Sequence, residues 1–569
     1  MHACLGIEAL GLCNYNPAAP TSIYLSIGEA VSALGFILAV QQLLKPIYSF
    51  RLRARFGSLQ LLYGLMLIGA SCSFIAAILP SIPALQQRGP FSYPLIWEII
   101  AGLFFVAAYL AIIVAIIWPV LADAKSISRF AQAAARLLSA ANDKDCIDFI
   151  QDLHRSLPVI IRESKFIESL RKPSAFVEFS HRLKIEQSSY ASSFLHILSD
   201  EKLCKILIEK APWQTAAILR DLSDKELHSR AAEPFIQGLA RQAVVSDESM
   251  FERETGYTGF ASAPVLSESL FDLPFIVTRY DPLAGLRFNT ENKFEEKGLK
   301  RFNNAAKRCL TSVIESGEIY DARTAWSVRH HYEGIFRSLY QVREIKPVDH
   351  MFMIRIQDAV EEAVSLAEKI QEGFSASEWD YAFVTSADDR RSDMLQDLVE
   401  IVIEAFNGIA NEFNGYRDPF WIMALQSFGA CFEKYSDQIG LTPFQQRLAF
   451  KIVDKLNDNM NGYYPAISRV MLSCIGLYVA KTDDKPTPSN IIRDLVYRQM
   501  QKLPILAQTQ PYKIEHYLPN NMRYSNRTTE LTFTYGDGRT KGIVLSLLNV
   551  PARDLADPAI RRAHQARTS

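Results

Sequence analysis

The sequence predicts an all-α membrane protein: three N-terminal transmembrane helices, then a large, mostly helical cytosolic domain with a C-terminal β-hairpin. Three observations carry this reading. Apolar stretches run over Ile23–Leu44, Leu59–Pro83 and Pro94–Ala122. Each exceeds the roughly 20 residues a helix needs to cross the ~30 Å hydrocarbon core. Amphipathic helical patterns then recur through most of the remaining chain. Alternating apolar residues appear only near the C-terminus, over 530–548.

Residues 1–22 form a short segment without Lys or Arg. The link after the first apolar stretch carries Lys45, Arg51, Arg53 and Arg55, whereas the link after the second carries only Arg88. Positive charge marks the cytoplasmic side. The N-terminus is therefore expected outside, the first link inside, and everything after Asp123 inside a plasma (bacterial inner) membrane. A cleaved signal peptide is not expected, because no basic segment precedes the first stretch and a basic one follows it. Positive-inside bias accounts for the basic link, which also lies where anionic lipid would be attracted.

The apolar region, 23–122, offers small-residue stripes for close helix packing: Gly69, Ser73 and Ala77; Ala107, Ala111 and Ala115; and the pairs Ser26/Ala30 and Gly35/Ala39. Lipid gives helices no hydrophobic reason to associate, so close backbone approach must supply it. Within one chain such stripes bundle the spans; between chains they would form an oligomer. Glu29 and Glu98 are the ionisable residues inside these stretches. Both are expected some 6–9 Å in from the outer end of their helices. Intramembrane carboxylates are candidates for a shared cation or proton site, and this near the interface each can also reach the headgroups or a hydroxyl such as Tyr93.

Residues 123–245 read as a helical stalk and a first cytosolic lobe. Ile127, Phe130, Ala134, Leu137, Leu138 and Ala141 continue a helical period, as a stalk nearly continuous with the third span. Asn142-Asp143 stops that helix and caps the next, which is expected to end before Pro158. Residues 246–303 have no sustained period but many aromatic residues, among them Phe251, Tyr257, Phe271 and Tyr280, and are expected to dock on helices as an irregular segment. Residues 304–550 read as a second helical lobe. Helices are expected over Ile356–Ile370, over Leu395–Phe413 with Asp393 and Gln396 as a capping box, and from Thr442-Pro443, where Thr442 caps and Gln445 stands at N3. Another is expected from Pro465. No fixed repeat period supports a solenoid. Leu531 and Phe533, the turn Gly536–Arg539, and Ile543, Leu545 and Leu547 give the hairpin. Residues 551–569 read as a flexible tail.

Composition bounds function. The chain holds 61 Lys or Arg and 62 Asp or Glu, of which only five and four precede residue 125, so the helical part is nearly neutral. That leaves no strong electrostatic footprint for nucleic acid. The eight cysteines form no CxxC pair. Cys4 and Cys13 are expected on the oxidising side, within reach of a disulfide, and the rest as reduced thiols. No Walker A loop, GxGxxG turn, HExxH or GxSxG elbow occurs, and no cofactor is expected.

The best polar cluster is Arg329–Glu333. On a helix, His330 and Glu333 share a face, with His331 adjacent, a start for a metal site or proton relay that needs a third ligand. Asp388–Arg391 reads as a solvated turn, and Phe251–Tyr257 as an internal ion-pair network or a partner or lipid-headgroup contact. The function expected is a membrane-anchored interaction or regulatory protein, in contact with membrane lipid and with a protein partner or another copy of itself. The alternatives are an oligomeric gated effector with Glu29 and Glu98 on an ion path, and an enzyme using His330, His331 or Glu333.

Overall fold

The computed structural model describes residues 45–545 apart from 57–58, 79–93, 141, 170–174, 256–262, 287–295, 317–322, 338, 340–349, 373–393, 413–418, 435–438, 462–468, 475–484 and single or short gaps after 469, together with four positions between 31 and 39. Helices dominate, and one small sheet follows them. The chain divides into two compact units, residues 1–235 and 236–569. The sequence-predicted Glu29, Cys4, Cys13, Asp393, Asp388–Arg391, most of the helix from Pro465, the turn 536–538 and the tail 551–569 lie outside the described residues.

In the first unit, α1 (Pro46–Phe56) precedes two apolar helices, α2 (Leu59–Ile78) and α3 (Pro94–Ile117). The expectation of three spans is met for one helix. Pro94–Ile117 is long and apolar enough to cross a membrane, Leu62–Ile78 is a shorter apolar run, and Ile23–Leu44 is largely undescribed. The basic link is not a loop: it is α1.

The two apolar helices pack on a seam of alternating three- and four-residue spacing. Leu62, Met66, Gly69, Ser73 and Ala76 are buried on one, and Ala101, Phe105, Ala108, Ile112 and Ala115 on the other. This 3.5-residue period is that of two helices meshing side by side. The expected stripe on α3 is therefore shifted: Ala115 lies in the seam, but Ala107 is exposed. Large residues share the seam with small ones, which a search for small residues alone does not detect. Gly69 permits the closest approach, since an added Cβ would stand 3.3 Å from Phe104 Cβ and 3.4 Å from Ala101 O.

The stalk is broken. Pro119 has no amide hydrogen and disfavours helical backbone at Trp118, and residues 119–123 have no regular secondary structure. A new helix, α4 (Ile127–Ala140), starts behind a reciprocal cap: Ser126 N donates to Asp123 Oδ1 at 2.6 Å, and Asp123 N to Ser126 Oγ at 3.0 Å. Asn142 caps α5 (Asp143–Ser169) as expected, accepting from Asp145 N at 3.0 Å. That helix does not stop at Pro158. Leu153, Leu157, Ile160 and Ile161 around it are fully buried, and this burial offsets the roughly 3 kcal/mol an interior proline costs. Phe50, Phe130, Phe149 and Phe194 pack edge to face, joining α1, α4, α5 and α6 (Ala175–Leu198). Helices α7 (Glu201–Lys210) and α8 (Pro212–Asp224) complete the unit's packing.

In the second unit, helix α9 (Glu233–Val245) ends where residues 246–303 begin. That segment is more helical than its sequence implies. Short helices cover Met250–Thr255, Val265–Ser267 and Pro274–Tyr280, a π-turn covers Glu268–Asp272, and α10 (Glu296–Ser316) is already under way by residue 303. The aromatic residues do dock: the rings of Phe251 and Phe271 meet at 4.9 Å, tilted by 58°, both fully buried. Helices α11 (Arg323–Arg337), α12 (His350–Glu372), α13 (Met394–Glu412), α14 (Pro419–Phe428), α15 (Pro443–Asn461) and α16 (Pro488–Met500) follow. Gly408 lets α13 approach α11, since a Cβ there would stand 2.5 Å from Phe336 O. The capping box at α15 forms as its sequence predicts, with Gln445 N donating to Thr442 Oγ1 at 3.2 Å and Thr442 N to Gln445 Oε1 at 2.9 Å.

The C-terminal hairpin pairs β2 (Glu530–Thr534) with β3 (Thr540–Val544), Leu531 opposite Ile543 and Thr534 opposite Thr540. A third strand, β1 (Met522–Ser525), pairs with the other edge of β2. It is four residues long and closes on the polar turn 526–529, so its sequence reads as loop.

Candidate functional site

A buried polar cluster of the first unit lies where α3 ends. Arg51 and Arg55, four residues apart on α1, point the same way. Arg51 Nε donates to Asp152 Oδ2 at 2.8 Å, its Nη2 to Asp152 Oδ1 at 3.4 Å, and its Nη1 to Ile116 O at 3.1 Å. Arg55 donates to Val114 O at 3.1 Å, Trp118 O at 2.9 Å and Pro119 O at 2.8 Å. These carbonyls belong to the last turn of α3 and the segment that leaves it; Val114 O also accepts from Trp118 N at 3.1 Å, whereas Ile116, Trp118 and Pro119 lie where the helix no longer continues to supply N–H donors. Positive charge at that end also suits the helix dipole.

From α5, Ser156 holds the same exit. Its Oγ donates to Val120 O at 3.3 Å and accepts from Ala122 N at 3.1 Å. Asp152 is fully buried and Arg51 nearly so. Burial pushes the Asp152 carboxyl above its ordinary range, and the bonds from Arg51 oppose that shift without reversing it. Burial likewise pulls Arg55 below its ordinary value, opposed by the charge of Asp152. The arrangement clamps the end of an apolar helix onto the helical domain. Sequence reasoning assigned these arginines to orientation and to attraction of anionic lipid, and missed Asp152. The usable signal was the i, i+4 spacing of Arg51 and Arg55 on an otherwise apolar helical face.

Glu98 stands three residues before Ala101 on the seam side of α3 and is buried. It therefore faces the neighbouring helix. Its expected partner Glu29 lies outside the described residues.

The histidine cluster is split by the geometry of α11. His330 is 64% exposed, stacks flat on Trp326 at 5.3 Å and approaches Glu333 Oε2 at 3.7 Å. Glu333 also pairs with Arg337. His331 turns inward, where its Nε2 meets Leu283 O at 2.8 Å and its ring packs against Phe302. A carbonyl only accepts, so Nε2 carries the proton. Among the described residues no group of three His, Cys, Asp or Glu is placed to hold a metal ion. The described cysteines are buried free thiols, and burial pushes Cys204 up to about 12, far from a reactive thiolate.

His331 gives the fold an acid-labile point. Burial lowers it to about 4 from 6.5. Between those values the unfolded chain binds the proton and the folded one does not, so stability falls as pH drops from about 6.5 to about 4, by about 3 kcal/mol in all. His331→Gln keeps a donor for Leu283 O and removes the titration. Thermal melts of the two proteins at pH 7.5 and 4.5 are expected to show a smaller acid-induced drop in the variant. Equal drops would mean that His331 carries none of the acid sensitivity.

A cleft of about 490 Å³ in the second unit is lined by Glu254, Asp272, Asn304, Lys307, Arg308, Thr311, Glu315 and Lys369 among others. Its charges are balanced and largely engaged. Arg308 pairs with Asp272 through two bonds of 2.8 and 2.5 Å, Lys307 with Glu362 at 2.8 Å, and Glu254 accepts from Leu266 N and Ser267 N. Thr311 Oγ1 is buried without a hydrogen-bond partner. The lining contains no histidine or cysteine.

No family model matches the chain, and no curated protein and no solved structure is similar to it.

Proposed function

We propose that the chain is a membrane-anchored interaction protein: its N-terminal apolar helices sit in a plasma membrane, and its helical domain assembles on the cytosolic face with a second copy or a protein partner. The observation that carries this reading is the apolar surface of α2 and α3. At 24 residues, α3 is about 36 Å long, and only 28% of its most apolar window is buried. Leu67, Phe74, Leu103, Val106, Tyr109 and Leu110 all face outward. A continuous apolar face of that length is not left to water. Exposed Ser71 returns its hydroxyl to Leu67 O at 2.8 Å, as a lipid-facing serine must. The arginine clamp supports the anchoring, since it fixes the helices of the first unit to the end of the apolar helix instead of leaving them on a loose tether.

The test is alkaline carbonate extraction of membranes carrying the full-length protein, then chemical crosslinking in untreated membranes. The protein is expected to stay in the pellet and to shift to a discrete larger species. Release by carbonate would remove the anchor; a strictly monomeric band from pelleted protein would remove the assembly.

The buried position of Glu98 on a helix seam favours a second reading, in which the apolar helices of several copies form an ion path. Liposomes carrying the Glu29→Gln/Glu98→Gln variant would then lose a flux that the unaltered protein supports. Equal flux from both would remove the carboxylates from that role.

A further inference from the structure

We propose that the collar around the end of α3 binds the headgroups of anionic phospholipids, an inference that rests on the membrane reading above. The collar has two parts. Trp118 and Leu121 are 58% and 60% exposed just past the last turn of α3, beside exposed Ile117. They extend the apolar surface of the helix to its end, and tryptophan at that level prefers the headgroup zone. Around them lie cations. Lys45, Ser49, Arg53 and Phe56 recur at helical spacing along the outer side of α1, and Lys125 and Arg129 are exposed on the exit turn and the start of α4.

The inner and outer arginines of α1 have separate duties. Arg51 is neutralised by Asp152, and Arg55 spends its donors on Val114, Trp118 and Pro119 carbonyls. Lys45, Arg53, Lys125 and Arg129 pair with no carboxylate among the described residues; Arg129 donates one bond, to Arg55 O at 3.1 Å. Besides Asp152, which is held by Arg51, the acid near this exit is Asp123; it accepts from Ser126 N and also feels the charge of Arg129. Three cations without a carboxylate partner among the described residues, with Arg129 partly offset by Asp123, beside an exposed tryptophan and leucine match a surface that is negative at its headgroups and apolar just beneath. A soluble acidic protein would leave Trp118 and Leu121 in water, so lipid is the occupant that satisfies both halves.

Trp118 supplies the probe. Full-length protein is reconstituted in phosphatidylcholine bilayers doped with brominated phosphatidylglycerol or, separately, brominated phosphatidylcholine. The Trp118 signal is the difference in fluorescence between the protein and its Trp118→Phe variant. Brominated phosphatidylglycerol is expected to quench that signal at least about twofold more strongly, as several basic side chains near a membrane surface would produce. The Lys45→Gln/Arg53→Gln/Lys125→Gln variant should equalise the two lipids. Raising the salt concentration should equalise them in the unaltered protein, which serves if that variant does not fold. Equal quenching in the unaltered protein at low salt overturns the proposal while leaving the anchor standing. Quenching by neither lipid overturns both, because Trp118 would then lie away from any bilayer.

Discussion

Asp152→Ala is expected to destabilise the first unit by about 3–5 kcal/mol, because it leaves the buried Arg51 charge without a carboxylate, with Ile116 O and the face of Tyr48 as its remaining contacts. The reason lies in what the pair replaces. Taking both charges out of water costs several kcal/mol each, and their attraction returns most of it only while both are present. Asp152 itself illustrates the balance, since burial keeps its carboxyl above the ordinary range even beside a guanidinium. Removing both charges is therefore a different experiment from removing one. Arg51→Met/Asp152→Leu keeps comparable volume, leaves no orphaned ion, and is expected to melt within a few degrees of the unaltered protein, while Asp152→Ala falls by on the order of 10 °C. The comparison uses the full-length protein in detergent. If Asp152→Ala melts like the unaltered protein, water reaches Arg51 and the clamp is not a buried ion pair. If the double variant falls as far as the single one, the pair is needed for its hydrogen bonds at the exit and not for charge balance.

That clamp also marks the boundary of what the sequence discloses. Helix positions, caps and the hairpin follow from local rules: Asn142, Thr442 with Gln445, and the alternation around Leu531 and Phe533 all act within a few residues of themselves. Their effects need no tertiary partner to be recognised. The helix through Pro158 and the short helices of 246–303 depart from expectation because packing, not propensity, decides them. Leu153, Leu157, Ile160 and Ile161 enclose Pro158 with buried contacts that a local rule does not count. The polar sites are less legible still. Arg51 and Asp152 are 101 residues apart, and nothing near either one names the other. His330 and His331 show the converse failure, where adjacency in sequence suggests a joint site and the helix turns the two rings to opposite environments. Glu98 was legible as a candidate intramembrane carboxylate because an acid inside an apolar run is conspicuous on its own, but its burial on the seam depends on the packing of the neighbouring helix.

Arg301 repeats the device of Arg55 in the second unit, and its replacement is the other substitution with a large expected effect. Its side chain is 2% exposed. It reaches from α10 to the end of α9, donating to Val244 O at 2.5 Å and Val245 O at 3.2 Å, and to Asp247 at 2.7 Å and Glu252 at 3.2 Å. Ser249 Oγ covers the neighbouring Ala243 O at 2.9 Å. The final carbonyls of α9 are thus satisfied by side chains from outside the helix. Arg301→Met keeps much of the volume but strips the buried Val244 O and three part-buried acceptors of their donor, at an expected cost of about 3–5 kcal/mol. Arg301→Lys keeps the charge but not the planar fork, so it cannot serve two carbonyls and two carboxylates at once, and about half that loss is expected. Asp247 is 59% exposed, and water replaces its bond readily, so Asp247→Ala should cost no more than about 1 kcal/mol. The order of melting temperatures is the decisive readout: Asp247→Ala highest, Arg301→Lys next, Arg301→Met lowest. Were Asp247→Ala to match Arg301→Met, the ion pair would be the source of the stability. The expected order places it in the capped carbonyls, where the arginine acts as a missing turn of helix.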